Sequence, residues 1–333
     1  MVMGKCNVYV SEYQKHGLKE GSDSLHVVCG WIVPHSLTGI LRNSIGNSIQ
    51  ELYEKNLLQN RKGRKLLMQL IIQMLEMGCI PITSINDQQF VASAKLGSML
   101  NDSIKAPVLH KLNLAVNEKN IIHFADMLVK KCPEEVDEFL QLTQSPDKQR
   151  LKLLFKTFRQ KLLNERTMFA HLFSERVVNL DELVSTLKLN KNLSPKKAAS
   201  LAKTPVYTPL ISSLETFGTK NEVKLNVYGN ESTRLNDHFQ TFEAGSLPHV
   251  KYRGIAKSDK EPLMKMSEWL STLMNSLFTI DVAGGEDRDL SLIGYLVMKY
   301  SMKYQMLINL MDMHKFSVFV REWRQTNDTP MVN

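Results

Sequence analysis

Asn7-Val8-Tyr9-Val10-Ser11-Glu12, and after it Val27-Val28-Cys29-Gly30-Trp31-Ile32-Val33, are the stretches on which the fold turns. Each is a short apolar run rich in β-branched and aromatic residues, and a polar segment separates them, which predicts two strands rather than one helix. Residues 6–10 and 25–33 are therefore expected to form an opening hairpin around a polar turn at 15–24. The same signal returns at 79–85, closed by Asn86-Asp87, and again at 223–228 and 249–255.

Helical spacing fills the intervals. Ile49, Leu52, Tyr53 and Leu57 share one side of a helix predicted over 48–59. A basic loop at 60–65 then leads into an apolar helix over 66–77, for which Gly78 is the natural C-terminal cap. Further helices are expected over 233–242 and from Pro262 through Trp269 to 277, the proline being tolerated in the first turn. From 103 to 217 the pattern changes to helical repeats with few strand-like alternations, broken at Pro107, Pro133, Pro146 and Pro195, with its best helices at 121–131, 134–142 and 147–173. The lysine-rich stretch 188–203 reads as an exposed loop, 283–289 as a glycine-rich acidic break, 290–313 as a long apolar helix or helix pair, and the tail beyond Arg324 as frayed. The sum is an α/β (or α+β) chain whose mixed sheet is split in sequence. Residues 1–102 supply its first part, 103–217 a helical insertion, 218–280 its second part and 281–333 C-terminal helices.

Composition bounds the function. With 333 residues, 43% of them hydrophobic and 23% charged, the chain has ordinary globular usage and enough length for a sizeable core. No apolar run reaches the roughly 18 to 20 residues of a membrane span, and the first ten residues lack a signal-peptide layout, so no membrane association and a cytoplasmic location are expected. Cys6, Cys29, Cys79 and Cys132 form no CxxC pair and read as reduced thiols. The formal charge of +8 favours polyanionic partners, nucleic acid among them. The glycine-rich nucleotide loops and the GxSxG elbow are absent, and the histidines, His26, His35 and His249 included, show no metal-ligand spacing.

Acidic residues stand close to several strand ends and helix starts: Glu12, Asp87, Glu231, Asp259, Glu261 and Glu268. Carboxylates converging at one sheet edge hold Mg²⁺ or Mn²⁺, and paired ions of this kind drive phosphodiester cleavage. The same residue types also serve turns and helix caps at such positions. Arg61, Lys62, Arg64 and Lys65 make a dense cluster suited to phosphates or to a solvated loop, and the 17 methionines suit either core or a partner-binding face.

Three pieces of the chain together resemble the RNase H-like proteins grouped as "domain of unknown function 3800". The first is the strand pair quoted above, similar to that family's first strand ending in Asp-Glu and its second strand with a central glycine. Lys62-Gly63 before an apolar helix, followed by Ile82-Thr83-Ser84-Ile85-Asn86-Asp87, resembles its Lys-Gly loop and third strand. Ser258-Asp259-Lys260-Glu261-Pro262-Leu263-Met264-Lys265-Met266-Ser267-Glu268-Trp269-Leu270 resembles its closing helix. The resemblance covers about 170 residues in the two outer segments. It implies an RNase H-like nuclease dependent on Mg²⁺ or Mn²⁺; joined to the acidic positions at strand ends, it makes Glu12, Asp87, Glu231 and Glu268 the candidate catalytic metal ligands, with Lys62 or Lys260 as candidate phosphate contacts. Two positions depart from the pattern. Ser11 stands where the family has its leading Asp, and Glu268 where it has the helix Asp. A neutral serine is a far poorer ligand for Mg²⁺, and Glu12 replaces it only if a bulge or a strand end turns the next side chain to the same face. Three readings follow: an active or weakened nuclease on DNA or RNA, a catalytically degenerate subunit that binds nucleic acid or a protein through the helical insertion or C-terminal helices, and an RNA-coating nucleoprotein of a virus or mobile element.

Overall fold

The computed structural model describes residues 4–13, 25–50, 61–103, 118–174, 178–189, 207–231, 235–240, 242, 245–279 and 288–310. The expected turn at 15–24, all but 48–50 of the helix at 48–59, most of the loop at 188–203, residues 283–287 of the break at 283–289 and the C-terminal tail lie outside them. The chain divides into two compact units, one built from 1–86 with 206–309 and 314–333, the other from 87–205 with 310–313.

The first unit is a six-stranded mixed sheet with helices. Its strands are β1 Gly4–Glu12, β2 Leu25–Pro34, β3 Ile80–Asp87, β4 Val223–Gly229, β5 Val250–Ile255 and β6 Leu307–Leu310, in the spatial order β5-β4-β1-β2-β3-β6. β1 pairs antiparallel with β2 and parallel with β4, and β4 pairs parallel with β5. Parallel neighbours require a long connection. Here β4 follows β1 only after more than two hundred residues, so the sheet is closed by both ends of the chain. Val8, Tyr9 and Val10 are buried together, as on a strand covered on both faces.

The helices of this unit are α1 Thr38–Gln50, α2 Arg61–Glu76, α8 Tyr207–Asn221, α9 Leu235–Phe239, α10 Pro262–Thr279 and α11 Arg288–Lys303. α10 packs on β1 and β2. A column of small polar residues, Ser267, Ser271 and Asn275, is buried on it, and Ser267 Oγ donates to the Tyr9 carbonyl at 2.9 Å. α2 ends as expected at Gly78, whose φ of +80° permits the paired bonds Cys79 N–H to Met74 O and Gly78 N–H to Leu75 O. Its first turn differs: Arg61–Lys65, expected as a loop, already lie in the helix, because Arg and Lys are good helix formers and one glycine does not stop them. The apolar stretch 290–313 is not one helix either: Gln305, at φ +60°, ends α11, and the chain turns into β6, where Thr83 N–H donates to Met306 O.

The second unit is helical: α3 Gln88–Ser103, α4 Glu118–Lys131, α5 Pro133–Gln144, α6 Lys148–Asn164, a 3₁₀ segment Met168–Phe173 and α7 Leu180–Leu189. It begins earlier than the insertion expected at 103 and ends earlier than 217, since α3 belongs to it and Tyr207–Asn221 belongs to the sheet unit. Pro133 opens α5, and the Asp147 carboxylate caps α6 by accepting from Arg150 N–H at 2.7 Å. The single helix expected over 147–173 is broken at Arg166, whose φ is +54°. That break folds Phe173 back onto Phe124, Phe155 and Phe158, with ring centroids 4.7 to 5.9 Å away.

Burial sets an alkaline limit to stability. It pushes the Cys79 thiol up to about 12, the Cys132 thiol up to about 11 and the Cys29 thiol upward as well. The Tyr9 phenol is raised to about 12, by burial first and the Glu261 carboxylate second. Below the ordinary thiol range, near about 8.5, folded and unfolded chains hold the same protons and the stabilisation is complete. Above it the unfolded chain releases protons that the folded chain keeps, so stability falls as the pH rises toward the folded values. Urea midpoints are expected to stay level between about pH 7 and 8 and to fall beyond about pH 9. A midpoint unchanged at pH 10 in the reduced protein would contradict this burial.

Candidate functional site

In an open α/β sheet, ligands are bound beyond the carboxyl ends of strands, where the strand order reverses. In this sheet that place lies between β1 and β4, since β2 leaves β1 on one side and the distant β4 joins it on the other. The ladder runs past both strand ends, with Asn230 N–H donating to Val10 O at 3.2 Å and Ala256 N–H to Gly229 O at 2.8 Å. Because Val10 is in register with Gly229, the next pair is Ser11 and Asn230. Their side chains meet, the Asn230 amide donating to Ser11 Oγ at 2.8 Å, and Ser11 is fully buried.

Glu12 lies on the other face. The β1–β2 register is unbroken from Cys6–Pro34 to Glu12–Val28, and Tyr13 N–H continues it to Val27 O, so β1 has no bulge to turn Glu12 beside Ser11. Its carboxylate, 8% exposed, accepts from the Tyr207 hydroxyl at 2.7 Å. His26 Nδ1 lies 3.0 Å from the other carboxylate oxygen, at an angle that makes no hydrogen bond. The Tyr207 ring packs against buried His238 at 5.1 Å. Glu12 thereby fastens the first turn of α8 to the end of β1, and the hydroxyl and imidazole around it make this a polar pocket within the core.

The remaining expected ligands have separate local partners. Asp87 caps α3, its carboxylate accepting from Gln89 N–H at 2.9 Å and Phe90 N–H at 3.2 Å. Glu231 is exposed and paired with Lys257 at 2.7 Å, a contact that raises the Lys257 ammonium pKa. Glu268 pairs with Lys265 one turn away on α10, at 2.8 Å. Glu261, at the start of α10, holds the Arg42 guanidinium through Nε at 2.9 Å and through Nη2, and Arg42 Nη2 also donates to the Tyr9 hydroxyl at 3.3 Å. Among the described residues no three His, Cys, Asp or Glu side chains are grouped as a metal site requires. Of the expected phosphate contacts, Arg61, Lys62 and Lys65 are exposed on the first turn of α2 with Arg64 half-buried, and Lys260 is exposed in the turn before α10.

Asn230 and Tyr207 are absent from the sequence reading. Asn230 stands two residues past a predicted strand, so its place near a strand end is legible, but its partner lies 219 residues away. Tyr207 carries no local signal, since what makes it a site residue is a carboxylate 195 residues upstream. Comparison with protein-family models, curated proteins and solved structures returned no match.

Proposed function

We propose that this chain is a catalytically degenerate RNase H-like domain that binds nucleic acid without cutting it. The observation that carries the reading is the neutral Ser11–Asn230 pair at the carboxyl ends of β1 and β4. A hydroxyl facing an amide N–H presents a donor hydrogen and at most one weak oxygen ligand, whereas Mg²⁺ and Mn²⁺ take several hard, anionic oxygens. The donor set there does not fit the metal. Glu12, the nearest carboxylate in sequence, faces away and is already bonded to Tyr207. The antiparallel β1–β2 pair, with β4 and β5 added in parallel beyond β1, supports the RNase H-like reading of the sheet. The net charge of +8 supports a polyanionic partner.

The test is binding and turnover in one experiment. Labelled single-stranded and duplex DNA and RNA are incubated with the full chain and excess Mn²⁺, and retention and products are both read. Salt-sensitive retention without products is the expected result. Metal-dependent cleavage that disappears in Glu12→Ala or Glu268→Ala would remove the reading in favour of an active nuclease.

A further inference from the structure

One face of the parallel strands β1, β4 and β5 carries cations that nothing in the sheet neutralises. Lys5 on β1 is in register with Lys224 on β4, and Asn226, two residues along β4, is in register with Lys251 on β5. Paired residues of neighbouring strands project from the same face, as do alternate residues of one strand, so Lys5, Lys224 and Lys251 share it. Arg253, alternate to Lys251 on β5 and left without a register partner by the shift between Val227 and Tyr228, lies on this face as well, where its Nε donates to Asn226 Oδ1 at 2.7 Å. All four cations are exposed. No ion pair joins any of them to a carboxylate among the described residues.

Edge protection does not account for this pattern. Charge on the outermost strand β5 would discourage pairing with another sheet, but Lys5 and Lys224 lie on inner strands. Their Cα atoms stand about one interstrand spacing apart, roughly 4.8 Å, and like charges directly opposite one another destabilise a sheet. A bound polyanion reverses the sign of that term. The same face supplies the other half of a nucleic-acid surface. Tyr228, half-buried, stacks on Tyr9 at 5.4 Å with 16° between the ring planes, next to the Asn226–Asn7 pair that orients Arg253. Asn7 is itself held by Thr38 Oγ1 at 3.1 Å, so the row is fixed to α1.

We infer that this face binds the backbone of a single-stranded nucleic acid, with Lys5, Lys224, Lys251 and Arg253 on phosphates and the Tyr228 ring under a base. An unpaired strand is required because a base reaches an aromatic ring on a sheet only when it is unstacked from a partner. An acidic protein segment would use the cations and leave the ring without a role. The inference rests on the binding reading above and adds where the strand lies.

Fluorescence anisotropy of the full chain with a labelled oligothymidylate of about 20 nucleotides tests it. The triple variant Lys224→Gln, Lys251→Gln, Arg253→Gln is compared with a triple that removes equal charge at α2, Arg61→Gln, Lys62→Gln, Lys65→Gln. All six residues are exposed, and matching circular dichroism spectra establish that both variants fold. The sheet triple is expected to weaken binding at least ~10-fold and to make the slope of log K against log salt shallower by about 2, from about 0.7 per lost phosphate contact. The α2 triple is expected to bind like the wild type. Undiminished binding by the sheet triple overturns the inference while leaving the reading of the domain intact. Tighter binding of a duplex, or displacement by poly-L-glutamate at lower concentration than by unlabelled oligonucleotide, overturns the choice of occupant. A wild-type chain that binds no nucleic acid at all removes both.

Discussion

Gly30→Ala is expected to lower the melting temperature of the sheet unit by about 6 °C or more, the signature of a loss above about 3 kcal/mol. A Cβ built at Gly30 would lie 2.3 Å from the Tyr9 carbonyl oxygen and 3.3 Å from the Tyr9 carbonyl carbon and the Val10 Cα. These are backbone atoms of the neighbouring strand, so no rotamer change relieves the overlap. Either β1 separates from β2 or the register from Cys6–Pro34 to Glu12–Val28 is distorted. The same Tyr9 carbonyl accepts the Ser267 hydroxyl of α10, so displacing it also loosens the helix that covers β1 and β2. A melting temperature within a degree or two of wild type would show that the close approach at Gly30 is not real. Gly39 is the internal control, since nothing lies within 4 Å of the Cβ position there.

The second large effect belongs to the helical unit. Phe173→Ala removes the ring on which Phe124, Phe155 and Phe158 converge, in a position 2% exposed. Loss of a buried phenylalanine typically destabilises by about 3 to 5 kcal/mol, and the upper end is expected because three rings lose a partner at once. Hydrogen exchange is the appropriate measurement, since it separates the two units along the chain. Protection over 118–189 should fall by two or more orders of magnitude, following about 1.4 kcal/mol per tenfold change. Unchanged protection there would contradict the packing of the 3₁₀ segment against α4 and α6.

Much of this architecture is legible from local signals. The runs around Val8, Trp31, Val227 and the 249–255 stretch are short, apolar and bounded by polar residues, and each forms a strand because no helix face of that length could bury them. Gly78 and Pro133 marked helix ends for steric reasons that hold in any context. What failed were boundaries that depend on distant packing. Leu307–Leu310 continues the apolar spacing of α11 and looks helical until β3 offers it an edge to pair with. The stretch 147–173 reads as one helix because nothing local at Arg166 forbids continuation, and the break becomes favourable only through the ring cluster it allows.

The site divides in the same way. The resemblance marks Ser11 as a neutral residue where that family has Asp, and strand alternation alone places Glu12 on the opposite face unless a bulge intervenes. The regular register supplies no bulge. Asn230 was out of reach because its meaning depends on a partner on another strand. The basic row had a similar obstacle. Lys5, Lys224, Lys251 and Arg253 are scattered singly in sequence, and only the parallel register of three strands turns them into one surface, whereas the cluster at 61–65 is contiguous and visible in the sequence itself.

Mn²⁺ binding, followed through the paramagnetic resonance of the free ion, tests the neutral-pair account most directly. The wild-type chain is expected to show no saturable binding at the end of β1 and β4, and the double variant Ser11→Asp, Asn230→Asp, which places two carboxylates where the hydroxyl and amide now meet, is expected to acquire it. Saturable binding by the wild type that is lost in Glu12→Gln or Glu268→Gln would contradict the account, and would mean that the carboxylates gather around a metal after all.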